Sequence, residues 1–114
     1  MNYQFYIKLN THENTWVMMG ESHVISWDLR DLISASSGWF IVNQGSLGQA
    51  ARMIPMLQKG IAQLSQSANS YRNFEMVHGL GTIETVLIFY QSLLKDCMRF
   101  PNFELCGSLQ KYKS

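Results

Sequence analysis

The sequence predicts an α+β fold, a small antiparallel sheet packed against about three helices, and three stretches carry that prediction. Residues 3–9, YQFYIKL, alternate Tyr3, Phe5 and Ile7 with Gln4, Tyr6 and Lys8, the period-two pattern of a half-buried strand. Residues 78–101, HGLGTIETVLIFYQSLLKDCMRFP, place Ile83, Val86, Leu87, Tyr90, Leu93, Leu94, Cys97 and Met98 at three- and four-residue steps, the spacing of one apolar helix face. Phe103-Glu104-Leu105-Cys106 then reads as a closing strand. Strands at both ends and helices between them are not the repeated βαβ order of a parallel sheet. The first and last strands are expected to be neighbours in one domain over residues 1–114.

The elements follow in order. After the first strand, Asn10 to Asn14 supply turn chemistry, and Thr15 to Met19 form a second strand, a hairpin partner ended by Gly20. Ser26 is an N-cap for a short helix of about ten residues, with Asp28 in its first turn and Gly38 at its left-handed end. Its apolar positions are Trp27, Leu29, Leu32 and Ile33. Trp39 to Val42 are either a short buried strand or an extended lead-in. Asn43 to Ser46 make a turn with Ser46 as the next cap, and Leu47, Ala50, Ala51, Ile54, Leu57, Ile61 and Leu64 mark a helix face. Pro55 breaks that helix, which either bends near Arg52 or restarts close to Pro55. A polar connection, QSANSYRN, leads to the main helix, which Thr82 caps and Pro101 stops. The tail, GSLQKYKS, is expected to fray.

Composition excludes several classes of function. With 114 residues and a 46% hydrophobic fraction, the chain can bury a core without staples. Nine basic and eight acidic residues are scattered, with a net charge of +1 and no basic block to track a phosphate backbone. Duplex nucleic acid is therefore not an expected partner. The first residues show no secretion signal, and no apolar run approaches the roughly 20 residues that cross a bilayer. Two cysteines do not make a disulfide scaffold, and Cys97 reads as a small buried hydrophobe. The expectation is a cytoplasmic protein with no membrane contact, no metal and no cofactor.

The chemistry-bearing patterns are few. His78-Gly79-Leu80-Gly81-Thr82 places two glycines before a helix whose free N–H groups attract anions. A phosphorylated or nucleotide-like molecule would fit there, with Arg72 and Trp39 as candidate charge and stacking partners. The plainer meaning is a tight turn and a helix cap. Glu21 and His23 share a strand face if the strand is regular and are the one acid–base doublet, though such a pair commonly sits in solvent. His12 and Glu13 are adjacent and point apart. No G-x-S-x-G elbow is present. Aromatics and methionines exceed what a small core needs. Trp16, Met18, Met53 and Met56 are the candidate partner-binding residues, because exposed Met and Trp supply adaptable apolar contact. Met18 and Met19 must face opposite ways on a strand.

The segment GLGTIETVLIFYQSLLKDCMRFPN resembles small uncharacterised proteins of phages and their bacterial hosts. In these a G-x-G-[TN]-x-E turn opens a helix of the form FLxxLLxxC that a proline soon follows. Here the turn is Gly79-Leu80-Gly81-Thr82-Ile83-Glu84 and the helix is FYQSLLKDC, with Tyr90 in place of leucine. The resemblance extends back through AARMIPMLQKGIAQL and SYRNFE, roughly half the chain, and carries no activity. It implies a small accessory protein of phage–host conflict. The expected function is a non-enzymatic binding protein, an inhibitor or counter-defence protein that contacts a protein partner or forms a homo-oligomer. The alternative is a binder of a phosphorylated or nucleotide-like small molecule at residues 78–82. A small enzyme using Glu21 and His23 ranks third.

Overall fold

A computed structural model of the chain describes residues 1–11, 15–39, 41, 45–75 and 81–110. Four strands, β1 (Asn2–Asn10), β2 (Trp16–Ser26), β3 (Gly45–Gln49) and β4 (Glu104–Gln110), form one antiparallel sheet in the order β2-β1-β4-β3. The alternation of β1 does what its period requires. Tyr3, Phe5 and Ile7 are buried on the inner face, and their neighbours along the strand are half-buried on the other. The terminal strands do pair, from Asn2 opposite Gln110 to Lys8 opposite Glu104. Gly107 faces Phe5 in this ladder, and a side chain on Gly107 would strike the Phe5 ring at 2.7 Å. The glycine lets that ring lie flat on the sheet, where it packs with Tyr3, Trp39 and Phe89.

Three helices cover the inner face: α1 (Arg30–Ser37), α2 (Ile54–Gln66) and α3 (Ile83–Arg99). Ser26 caps the 3-10 turn Trp27–Leu29 that leads into α1, and Gly38 ends α1 at φ 79°. Thr82 caps α3 and exchanges hydrogen bonds with Thr85 as a capping box. Tyr90 joins all three helices. Its hydroxyl donates to the Ile33 carbonyl at 3.1 Å and meets Ser36 Oγ at 2.7 Å, and its ring lies against Gly60 of α2. A hydrogen-bonded phenol, rather than a purely apolar side chain, thus stands where the three helices meet.

Several expectations are corrected. Gly20 does not end β2; at φ 76° it opens a bulge, and the strand continues to Ser26. Residues 20–22 of β2 stand opposite Tyr6 alone, between the Ile7–Met19 and Phe5–His23 pairs. Gly45 and Ser46 are not a turn and cap but part of β3, which also takes Leu47 and Gly48 from the expected helix. The pairing energy of a fourth strand on β4 is a long-range gain that local periodicity cannot register. A 3-10 turn, Ala50–Met53, follows, and α2 starts at Ile54 with Pro55 in its first turn, where a missing N–H costs nothing. The polar connection contains a 3-10 segment, Ala68–Phe74. Of the residues expected to fray, Gly107 to Gln110 are strand, held by β1. Met98 is 59% exposed despite its place on the apolar repeat, while Phe89 and Asp96 are buried. The turn at residues 12–14, most of 39–44, and His78 and Gly79 lie outside the described residues.

Candidate functional site

The β2 bulge and helix α3 together build a buried polar cluster. In a regular ladder Glu21 would stand opposite Phe5. The two extra residues of the bulge put His23 there, pointing inward and 5% exposed, and leave Glu21 in solvent. The expected Glu21–His23 doublet therefore does not exist. The partners of His23 come instead from α3. Its Nε2 lies 2.7 Å from Asp96 Oδ2, and its Nδ1 lies 3.0 Å from Ser92 Oγ. Asp96, itself 5% exposed, also accepts the Glu21 N–H at 2.9 Å, and its carboxylate sits over Gly20. A Cβ at Gly20 would be 2.5 Å from Asp96 Oδ2, so the bulge needs glycine for room as well as for its φ. A carboxylate can only accept, which assigns a proton to His23 Nε2; in the neutral ring Nδ1 is then the nitrogen that accepts from the Ser92 hydroxyl.

A cleft of about 300 Å³ opens beside this cluster, with Val24, Ile88 and Phe89 as apolar walls and Ser22, Thr85 and Ser92 as hydroxyl groups. Thr85, Ile88, Phe89 and Ser92 fall on one side of α3 because they are three, four and seven residues apart. Cys97 follows Asp96 on the buried face, where burial first and the Asp96 charge second push its thiol up to about 12. A neutral, enclosed thiol is no nucleophile. Both cysteines are free and buried.

The second feature is an apolar surface on β2, an edge strand of the sheet. Trp16, Val17 and Met18 are 48%, 52% and 45% exposed, and Val24 is 50% exposed further along. Trp16 stacks on Tyr6 of the neighbouring strand with ring centroids 5.3 Å apart. The structure thus brings Trp16 and Met18 together on the outer face and turns Met19 inward against the core. Met53 is corrected: it is 4% exposed in the core. The Ala50 and Ala51 N–H groups bond the Phe103 and Pro101 carbonyls, and the 3-10 turn they anchor rolls Met53 inward. Met56 is half-buried against the same core.

The start of α3 is satisfied internally. Glu75 Oε2 accepts the Ile83 N–H at 3.0 Å, and Arg72 bonds both Glu75 oxygens at 3.2 Å while reaching Glu84. The chain's own carboxylate thus accepts at the helix start, where the alternative reading placed an external anion. Glu84 titrates below its usual range, first through its own backbone N–H and then through Thr82. Gly81 has a packing reason, since a Cβ there would meet Leu29 at 2.8 Å. Trp39 is not a stacking platform for a ligand; it is 5% exposed and its rings face Phe5 and Phe89.

Ser92 and Asp96 were invisible as site residues in the sequence. Their spacing, i and i+4, was the available signal, for it puts a hydroxyl and a carboxylate on one helix face. Among the described residues no three His, Cys, Asp or Glu side chains are grouped to hold a metal, and no helix is long and apolar enough to cross a membrane. No protein-family model matches the chain, and neither does any curated protein or solved structure.

Proposed function

We propose that the protein works by binding another protein chain, a second copy of itself included, through the apolar end of β2. The observation that carries this reading is the run Trp16-Val17-Met18, three large apolar side chains in sequence and all about half exposed on an edge strand. Exposed apolar edges are usually short, charged or covered, because they pair readily with other chains. Here β2 is 11 residues long, and Lys8, opposite Met18 on the neighbouring strand, is engaged by Glu104. Such an edge suits an inhibitor or counter-defence protein of the phage accessory type, which acts by occupying a surface.

The test is light scattering with native mass spectrometry on the wild type and on a Trp16→Glu/Met18→Glu double variant, followed by pull-down from producing cells. Both positions are half exposed, so the variant is expected to keep the wild-type circular dichroism melt and to lose association or the captured protein. A folded double variant that associates and captures proteins as the wild type does would overturn the reading. So would a monomeric wild type that captures nothing the variant misses.

A further inference from the structure

We propose that Ser92 is a nucleophile toward small neutral esters, with His23 as its general base and Asp96 as the residue that positions that base. The cleft between β2 and α3 shares no residue with the Trp16–Met18 run. Nucleophile, base and orienting group lie in series within hydrogen-bond reach, Ser92 Oγ to His23 Nδ1 at 3.0 Å and His23 Nε2 to Asp96 Oδ2 at 2.7 Å. The roles of the two ring nitrogens follow from Asp96. It accepts from both Nε2 and the Glu21 N–H, so in the neutral ring the nitrogen without a proton is the one that faces the serine. A histidine whose only task was to tie β2 to α3 would need no open space beside its serine partner. This one has a cleft of about 300 Å³ that both His23 and Ser92 line.

The walls define the substrate. Val24, Ile88 and Phe89 are apolar, and among the described residues no lysine, arginine or carboxylate lines the cleft. A phosphate or carboxylate would find no countercharge there, whereas a short neutral ester fits both volume and polarity. Among the hydroxyls lining the cleft, that of Thr85 is engaged with Thr82, and that of Ser22 is the donor offered to a developing oxyanion. In the reaction Ser92 Oγ forms a bond to the ester carbonyl carbon as its proton passes to His23 Nδ1. The bond from that carbon to the alcohol oxygen then breaks, and the departing oxygen takes the proton from Nδ1. Water, giving its proton to the same nitrogen, attacks the acyl-serine carbon; the bond from that carbon to Ser92 Oγ breaks, Oγ takes the proton from Nδ1, and the acid leaves.

The experiment treats the full chain with p-nitrophenyl acetate and, separately, with a fluorophosphonate, followed by intact-mass and peptide analysis. Ser92 is expected to carry the acyl or phosphonyl adduct, and Ser92→Ala to lose it with an unchanged melt. His23→Gln, if folded, should label at least about 100-fold more slowly, the usual contribution of a general base. Asp96→Asn donates to Nε2 where Asp96 accepted and so moves the ring proton to Nδ1. Labelling should then stay low at every pH rather than recover at alkaline pH. An unlabelled wild type, an adduct on another residue, or a folded His23→Gln that labels at the wild-type rate would each overturn the proposal. Ser92→Ala decides the matter alone if His23→Gln does not fold.

Discussion

Asp96 is the residue whose replacement tests the reading of β2 and α3 most directly. Its carboxylate accepts the His23 Nε2–H at 2.7 Å and the Glu21 N–H at 2.9 Å while 5% exposed. Asp96→Ala leaves both donors without their acceptor, the His23 N–H in a buried place and the Glu21 N–H in a partly buried one. Each such group costs about 1–3 kcal/mol, so a loss of about 3 kcal/mol is expected, against a total stability of about 5–15 kcal/mol for a domain. With a guanidinium slope of about 4 kcal/mol per M, the unfolding midpoint should fall by about 0.7 M. Asp96→Asn keeps an oxygen for Glu21 and can donate to His23, so it should cost only about 1 kcal/mol. The assay is guanidinium denaturation followed by circular dichroism. A midpoint for Asp96→Ala within about 0.2 M of wild type would refute the buried network, since no arrangement with two orphaned donors is that cheap. Equal losses for the alanine and asparagine variants would show that charge, rather than accepted hydrogen bonds, is what counts.

Three further expectations follow. Gly60→Ala should lower stability by about 1 kcal/mol, although alanine is favoured over glycine in a helix by about that amount, because the new methyl would stand 2.8 Å from Tyr90 Cζ; a raised melting temperature would show that the α2–α3 contact is looser than described. The Cys97 thiol is raised from 9.0 to about 12, so the stability of its neutral form is complete below pH 9 and lost as pH climbs toward 12. Cys97→Ala should flatten that alkaline decline by about 3 kcal/mol, read from denaturation midpoints between pH 8 and 11, and identical slopes in both proteins would contradict it. Glu75→Ala removes the acceptor of the Ile83 N–H and the main partner of Arg72, with an expected loss of about 1 kcal/mol. An unchanged melt would mean that the start of α3 is held by Thr82 alone.

The two halves of the candidate chemistry sit differently in relation to stability and function. The apolar end of β2 is about half exposed, so substitutions there are expected to cost the fold little. The His23 cluster is the reverse. It fixes the bulge, and through Gly20 and Glu21 it ties the edge strand to α3. Loss of Asp96 is thus expected to loosen β2 as a whole. An effect of Asp96 variants on protein binding would then reflect the edge rather than the cleft, and the Ser92→Ala variant separates the two.

Local physical chemistry alone determined the α+β class, β1, the caps Ser26 and Thr82, the stop at Gly38 and the apolar face of α3. Each rests on spacing or on hydrogen bonds between residues a few positions apart, which a sequence displays directly. The exposed Trp16 and Met18 were legible for the same reason, since alternation forces one of two adjacent methionines outward. Tertiary structure alone decided the rest. Strand β3 exists because β4 offers it a ladder, and Met53 is buried because carbonyls about 50 residues away anchor the turn that holds it. His23 joins Asp96, 73 residues distant, because a bulge of two residues redirects one strand face toward one helix face. Sequence spacing reports what lies within a turn or a pleat of each residue. Which distant face it meets depends on register and packing, energies shared among many residues and written in none of them singly.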